Sequence, residues 1–501
     1  MMRGPLFWAV FAAVLGVFFG FANPIFYFPP VIFAFLVGLN QGIFSPASPA
    51  RVFRSALIIA TAGYLSGLYW VAVPIHYYGH LPWVLAVPGT VLLSIYTALY
   101  AAAYVLIVYY CRNYFSPFFL GIFAGAVWAC LECIRQWLFG GFPWLNPGSA
   151  FAGWPECIQS ARLMGETGIS AALVCMSMWL TRPKTPNVVA AIILAFLLFI
   201  PGIFFQSSPQ VEKASILLVQ GNIDQGKKWS EAYKNSTLEK YKSLTATDIK
   251  GQKTDLVVWP ETAMPFYVQE ANYYTRELRA FVRENNLSLM LGAPGYKMLE
   301  SEGDYNLYNR AFLFNDQGDI QDSYDKMHLV PFGEYVPLKK FFPFLNKITY
   351  GVKDFSPGTS AKPVKLGKLA LGVLICYEVI FPGQVQSEIE SGANMLVNIS
   401  NDAWFGRTSA PLQHLNMAAM RAVEQNRFMV RSTNTGISAF IAPDGSIIEK
   451  SGLFSEQLLR ASVPVVRERT FFSRYFEAIH IFWFVLAALL VIYCLYKKRI
   501  N

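Results

Sequence analysis

Long apolar runs dominate the first two-fifths of this chain and return once at its end. They fall at 5–22, 24–42, 54–75, 82–110, 115–138, 165–181 and 187–205, with one more at 479–496. Each is close to the roughly 20 apolar residues that cross a bilayer as a helix, so the pattern predicts about eight spans. Pro29 and Pro30 interrupt the second run, and Glu166, Thr167 and Gly168 open the sixth. A cleaved leader is the competing reading of 1–23, because Arg3 precedes a short apolar run; the spans that continue directly after it argue against cleavage. From about 213 to 467 the pattern changes, and short apolar runs alternate with amphipathic stretches. Strands are predicted at 215–220, 255–259, 288–292, 310–314, 369–375, 395–399, 428–432 and 438–441, where Val, Ile and Leu concentrate. Helices are predicted at 231–247, 270–285, 381–391 and 411–426. Strands interleaved with helices imply a layered α/β domain. The chain thus reads as a membrane domain over 1–205, an inserted polar domain over 213–467 and a terminal span over 479–496, with 206–210 as a linker.

Composition sharpens this division. Only 15% of the 501 residues are charged, against about 25% in soluble domains, which excludes a purely soluble enzyme. Residues 1–205 hold 8 Lys/Arg against 3 Asp/Glu, and 480–501 hold 3 against none. The polar middle is balanced at 30 against 29. A nucleic-acid partner is therefore not expected, since such proteins put a basic face on the polar domain. Alternate loops carry Arg3, then Arg51 and Arg54, then Arg112, then Arg182 and Lys184, then Lys497, Lys498 and Arg499. Arg162 and the span-edge Arg135 are the exceptions. The positive-inside rule then puts both termini in the cytoplasm and the polar domain outside it. Glu132 and Arg135, i and i+3 on the fifth span, are spaced to pair. Pairing, snorkelling of Arg135 to the surface and a catalytic role all remain open for them.

Of seven cysteines only Cys376 lies in the polar domain, so that domain has no internal disulfide. A lone thiol is either reactive or an inert buried group. Cys376 ends an apolar run, where a nucleophile sits on a rigid element with the next backbone N–H free for an oxyanion. A thiol needs a base or a cation nearby. His328 and His414 leave a Cys-His pair open. Two further segments end in suitable polar groups: Trp259-Pro260-Glu261, just past a strand, and Tyr324-Asp325-Lys326, with Glu334 eight residues beyond the lysine. Singly, each has a bland reading as a solvated carboxylate, a surface lysine or a core thiol.

In this order the motifs resemble the nitrilase superfamily, over about 250 residues. The resemblance implies an αββα sandwich with Glu261 as general base, Lys326 as the cationic residue and Cys376 as nucleophile. It also implies supporting roles for Glu334, Tyr377 and Glu378. Together with the spans, the stretches 398–406, 431–437 and Glu132 to Arg135 followed by 141–145 resemble a membrane-embedded acyltransferase branch of that superfamily. That branch implies a phospholipid acyl donor, a diacylated apolipoprotein acceptor and a thioester intermediate. It implies a location in the bacterial inner membrane with the catalytic domain periplasmic. No cofactor is expected, and no cluster with metal-ligand spacing exists to hold a metal. Substrate contacts are expected from Trp144 and Phe142 on the outer side of spans five and six, and from Trp229. Phe341, Phe342 and Phe344 read either as an arm dipping into the lipid interface or as covered core. A membrane-bound amidohydrolase, in which water resolves the thioester, and a transporter carrying a non-catalytic domain are the alternatives.

Overall fold

The computed structural model describes residues 3–199, 212–226, 229–299, 304–336 and 354–500. Every predicted apolar run contains a helix within those residues, although 24–28 is not helical. The series comprises α1 (Arg3–Gly20), α2 (Ile32–Asn40), α3 (Pro49–Leu68), α4 (Ala72–Tyr77), α5 (Trp83–Cys111), α6 (Pro117–Arg135), α7 (Ala161–Thr181) and α8 (Thr185–Phe199). Among the described residues, five helical stretches are long and apolar enough to cross a membrane: Pro49–Tyr77, Trp83–Tyr114, Pro117–Arg135, Ala161–Thr181 and Phe476–Ile500. Gly4–Gly20, Pro29–Phe44 and Thr185–Phe199 are shorter apolar helices, and the predicted end of the seventh run lies outside the described residues. Pro29 and Pro30 open a separate 3-10 turn before α2, since proline fixes φ and supplies no N–H. The helix of the sixth run, α7, starts at Ala161, earlier than predicted, and kinks at Gly165, whose φ is +67°.

The basic loops gather at one end of these helices. Arg182 lies over the Phe44 ring at 4.3 Å, Tyr109 donates to the Ala47 carbonyl at 2.8 Å, and Phe115 meets Tyr493 near the basic C-terminus at 5.5 Å. The polar domain docks on the opposite end, where Tyr78 reaches the Ala403 carbonyl and Trp70 reaches Gln413. Glu132 and Arg135 do not close the pair that their spacing suggested. Glu132 accepts from the Trp128 indole at 3.1 Å, and Arg135 donates to Asn146. Arg135 is buried, so it does not snorkel either. The reason is tertiary: the loop after α6 folds back and offers Asn146 inside the helix layer.

The polar domain has two six-stranded sheets. The first runs in the order β12-β1-β2-β3-β4-β5, built from β1 (Lys213–Gln220), β2 (Leu256–Val258), β3 (Leu289–Met298), β4 (Tyr305–Phe314), β5 (Ile320–Asp325) and β12 (Gln457–Pro464). The second runs β11-β10-β9-β8-β7-β6, from β6 (Val364–Leu366), β7 (Leu369–Ile375), β8 (Met395–Ser400), β9 (Met429–Thr433), β10 (Ala439–Ile441) and β11 (Ile447–Lys450). The central trios β1-β2-β3 and β7-β8-β9 are parallel and the edges antiparallel. The four strands that the apolar pattern did not predict, β5, β6, β11 and β12, are the four sheet edges.

Strand periodicity explains the layers. Ile216, Leu218 and Val258 of the first sheet share one apolar cluster with Val373, Ile375, Ile399 and Val430 of the second. Their neighbours Leu217, Val219 and Val257 point the other way, onto Leu238 and Tyr241 of α9 (Glu231–Ile249) and Leu278 and Phe281 of α10 (Tyr273–Glu284). On the far face of the second sheet, Leu374, Leu396 and Met429 pack against α11 (Pro382–Glu390) and α12 (Ala410–Gln425). That last layer is continuous with the membrane helices. Buried ions lock α12 to α7: Arg421 binds Glu166 of α7 and Glu424 of its own helix, and the Glu166 N–H donates to Glu424 at 2.8 Å. Such charges are tolerable inside only when paired. A short α13 (Phe471–Arg474) and the terminal α14 (Phe476–Ile500) return the chain to the membrane layer.

Candidate active site

Three strand ends converge, and each delivers one of the residues singled out above. Glu261 follows β2 in a turn where Thr262 adopts φ +49°. Lys326 follows β5 directly; its N–H donates to the Asn309 carbonyl at 2.9 Å and its carbonyl accepts from Gly358 at 2.8 Å. Cys376 follows β7 and opens a 3-10 turn. The lysine is 1% exposed, with its ammonium 2.9 Å from Glu334 Oε1 and 3.9 Å from Glu261 Oε1. Asn309, on β4, donates its amide to both carboxylates, at 2.7 Å to Glu261 and 2.9 Å to Glu334. The Val330 N–H holds the other Glu334 oxygen at 2.8 Å. Burial works against the Lys326 charge, but Glu334 and then Glu261 outweigh it and raise the pKa above the usual lysine range. The two carboxylates thus favour the charged ammonium.

Cys376 has φ +53°, a left-handed backbone that costs a non-glycine residue about 1–3 kcal/mol and persists only where its surroundings enforce it. Glu378 does much of the enforcing. One of its oxygens accepts from the Ile375 N–H at 2.7 Å; the other accepts from the Met327 N–H at 2.7 Å, the His328 N–H at 3.0 Å and the Tyr324 hydroxyl at 3.0 Å. One carboxylate therefore clamps the lysine loop to the cysteine turn. Burial pushes the Glu378 pKa up to about 7, with Lys326 and the backbone donors pulling the other way. Burial also raises the Cys376 thiol, Glu261 raises it further, and Lys326 lowers it. Burial thus favours the neutral thiol, whose activation calls for a base.

Neither histidine forms the Cys-His pair left open by the sequence. His328 Nε2 donates to the Gly140 carbonyl at 2.7 Å, and His414 Nε2 lies 3.2 Å from the Cys376 carbonyl rather than on its sulfur. The Tyr377 hydroxyl donates to the Gly141 carbonyl at 3.1 Å. Gly140 and Gly141 follow α6, so the site is bonded to the membrane layer. Trp144 comes from the same loop. It is buried, stacks with Phe142 at 6.0 Å, and lies 5.8 Å from the His414 ring. Trp229 is 43% exposed just ahead of α9. Phe341, Phe342 and Phe344 lie outside the described residues. Asn309 and Gln413, which binds the Trp144 indole at 2.8 Å, had not been singled out.

Glu388 on α11 supplies a test of the domain's electrostatics. It is fully buried against β7, and neither carboxylate oxygen has a hydrogen-bond partner among the described residues. Burial and then Glu378 push its pKa up to about 9. A carboxyl raised in the folded state favours folding below its unfolded pKa, and that contribution is lost as pH rises through the folded value. Stability should therefore fall between about pH 4.5 and 9. Glu388→Gln is expected to flatten that fall and to raise the unfolding temperature at pH 8 by about 3 °C or more. Calorimetry across that range checks it, and an unchanged slope would contradict it.

The polar domain is that of a carbon–nitrogen hydrolase. The family model described as Carbon-nitrogen hydrolase matches residues 216–471, and the one described as Apolipoprotein N-acyltransferase N-terminal domain matches residues 15–179. Apolipoprotein N-acyltransferase of Geobacter metallireducens is 36% identical over 441 residues, covering 85% of this chain and 84% of that protein. That of Haemophilus influenzae is 31% identical over 490 residues, covering 93% and 90%. The crystal structure of a carbon-nitrogen hydrolase from Helicobacter pylori aligns at 17% identity and a TM-score of 0.38, covering 55% of this chain and 94% of that one. The chain belongs to the apolipoprotein N-acyltransferase family. It is an acyltransferase.

Proposed function

We propose that this enzyme moves an acyl chain from a membrane phospholipid, through a thioester on Cys376, to the N-terminal amine of a diacylglyceryl-cysteine apolipoprotein. The observation that carries the reading is the bonding of Tyr377 and His328, beside the candidate nucleophile and lysine, to the loop that leaves membrane helix α6. A site joined to lipid-facing helices suits a substrate drawn from the bilayer.

The residues divide the work as follows. Glu261 takes the Cys376 proton, and the thiolate attacks the ester carbonyl. The Lys326 ammonium and the Tyr377 N–H hold the oxyanion, each donor worth about 3 kcal/mol if removed. Collapse expels the lysophospholipid alkoxide, which takes the proton from Glu261. The lipoprotein amine then attacks the thioester, its proton passes to Glu261, and the released thiolate recovers it. Glu334 anchors the lysine, and Glu378 fixes both loops. Trp144 and Phe142 cover the site, which limits loss of the thioester to water.

In this reading the four layers form an αββα sandwich over 213–467, inserted in about eight spans over 1–205 and 479–496 of the bacterial inner membrane. The termini are cytoplasmic and the catalytic domain periplasmic. The clustering of Arg182, Arg112 and the C-terminal lysines at the helix ends away from that domain supports this orientation. A cysteine-free variant with one new cysteine at the exposed Lys250 is expected to react with an impermeant thiol reagent in intact spheroplasts. Labelling only after membrane rupture would reverse the topology.

The reaction itself is tested with purified protein in phospholipid vesicles given a diacylated lipopeptide. N-acylated peptide and lysophospholipid are expected in equal amounts. Release of free fatty acid without N-acylation would favour a hydrolase instead.

A further inference from the structure

Near its start, helix α12 carries two adjacent buried polar residues that the scheme above leaves unused. Gln413 accepts from the indoles of Trp70 at 3.2 Å and Trp144 at 2.8 Å, and donates to the Gly67 carbonyl at 3.3 Å. It thereby seats α12 on the membrane layer. His414, the next residue, is 1% exposed. Its Nε2 lies 3.2 Å from the Cys376 carbonyl, and its Nδ1 lies 3.0 Å from Arg431 Nη2 and 3.2 Å from Asp402 Oδ1.

The Nε2 contact fixes one proton: a carbonyl only accepts, so Nε2 donates. Nδ1 faces both the Arg431 guanidinium, which only donates, and the Asp402 carboxylate, which only accepts, and the guanidinium is the nearer to the ring. Burial and then Arg431 hold the ring's pKa below the usual histidine value, against the pull of Asp402. The Asp402 charge is met elsewhere, by Arg431 at 2.8 Å and the Ser400 hydroxyl at 2.9 Å. His414 is thus fixed on one side by a closed polar network and on the other holds the carbonyl of the strained residue at the centre of the site. Glu378 fixes the backbone N–H of Ile375 before that residue; His414 at 3.2 Å and Asn398 at 3.5 Å fix the carbonyl after it.

We infer that His414 is a positioning residue, which aims the Cys376 thiol and the following peptide by donating Nε2–H to the Cys376 carbonyl, without exchanging a proton with the sulfur. The inference rests on Cys376 being the nucleophile. A left-handed nucleophile turn needs its flanking peptides held, and a misplacement of about 1 Å is enough to slow a reaction by about a hundredfold.

The test compares Gln with Asn at this position, in the full chain in phospholipid vesicles. A glutamine amide reaches the place of Nε2 and still donates to the Cys376 carbonyl. An asparagine amide reaches only the place of Nδ1. His414→Gln is expected to keep kcat and the rate of acyl adduct formation on Cys376 within about threefold, whereas His414→Asn loses about a hundredfold in both at unchanged KM. Unfolding temperatures are measured alongside. Glutamine as slow as asparagine at equal stability, wild-type rates in both, or a loss confined to KM would overturn the inference. Should the asparagine variant melt early, the glutamine variant decides alone: retained adduct formation supports the role and its loss overturns it. Absence of an adduct on the wild-type protein strikes the thioester reading instead, and the Gln-against-Asn comparison of kcat then decides the role of His414.

Discussion

Cys376→Ala and Cys376→Ser are expected to abolish acyl transfer while the protein stays folded in the membrane. The thiol is 8% exposed and small, so its loss costs about 1 kcal/mol of stability, within the common range for single substitutions. The turn around it is held by Glu378, His414 and Asn398 through backbone groups, which neither substitution removes. What disappears is the nucleophile. Serine keeps a hydroxyl, but its pKa lies far above that of a thiol, and a single buried glutamate is a poor base for it. Turnover with lipopeptide acceptor and the unfolding temperature, measured on the same preparations, check both halves. Normal transfer by the alanine variant would remove the nitrilase-type mechanism altogether.

The two carboxylates beside Lys326 should separate by role. Glu261→Gln removes the proton acceptor, and kcat is expected to fall by about 10²–10⁴, the usual span for a lost general base. Stability should change little, because Lys326 keeps Glu334 at 2.9 Å. Glu334→Gln has the reverse profile. It takes the nearer carboxylate from an ammonium that is 1% exposed, and breaking such a buried pair costs about 3–5 kcal/mol. The lysine is then expected to close on Glu261, now 3.9 Å away, and to occupy the base. The fall in turnover should be sharp but smaller than in Glu261→Gln, with the larger fall in unfolding temperature. Full rates in Glu334→Gln would reduce Glu334 to a structural loop residue.

Much of this arrangement was legible in the linear pattern, and the gaps have physical reasons. Interior strands are buried on both faces and read as continuous apolar runs. Edge strands are half solvated, so β5, which holds Gln321, Asp322 and Asp325, offers too little apolar content to register. Glu261, Lys326 and Cys376 were findable because each closes a short motif at a strand end. Asn309 and Gln413 were not. An asparagine in a strand or a glutamine on an amphipathic helix has no spacing signature, and their partners Glu261 and Trp144 are distant in sequence. Arg421 and Glu424 lie on the polar side of α12, which would face water in an isolated domain; docking onto α7 buries them. Glu132 and Arg135 show the converse, since favourable local spacing lost to Trp128 and Asn146.

The central claim is covalent chemistry at one sulfur. Purified protein in phospholipid vesicles, digested and examined by mass spectrometry before acceptor is added, should carry a fatty acyl group on the peptide containing Cys376. Adding diacylated lipopeptide should clear that adduct and yield N-acylated product in equal amount. Sustained transfer to the lipopeptide with no acyl group on Cys376 at any time would contradict the account.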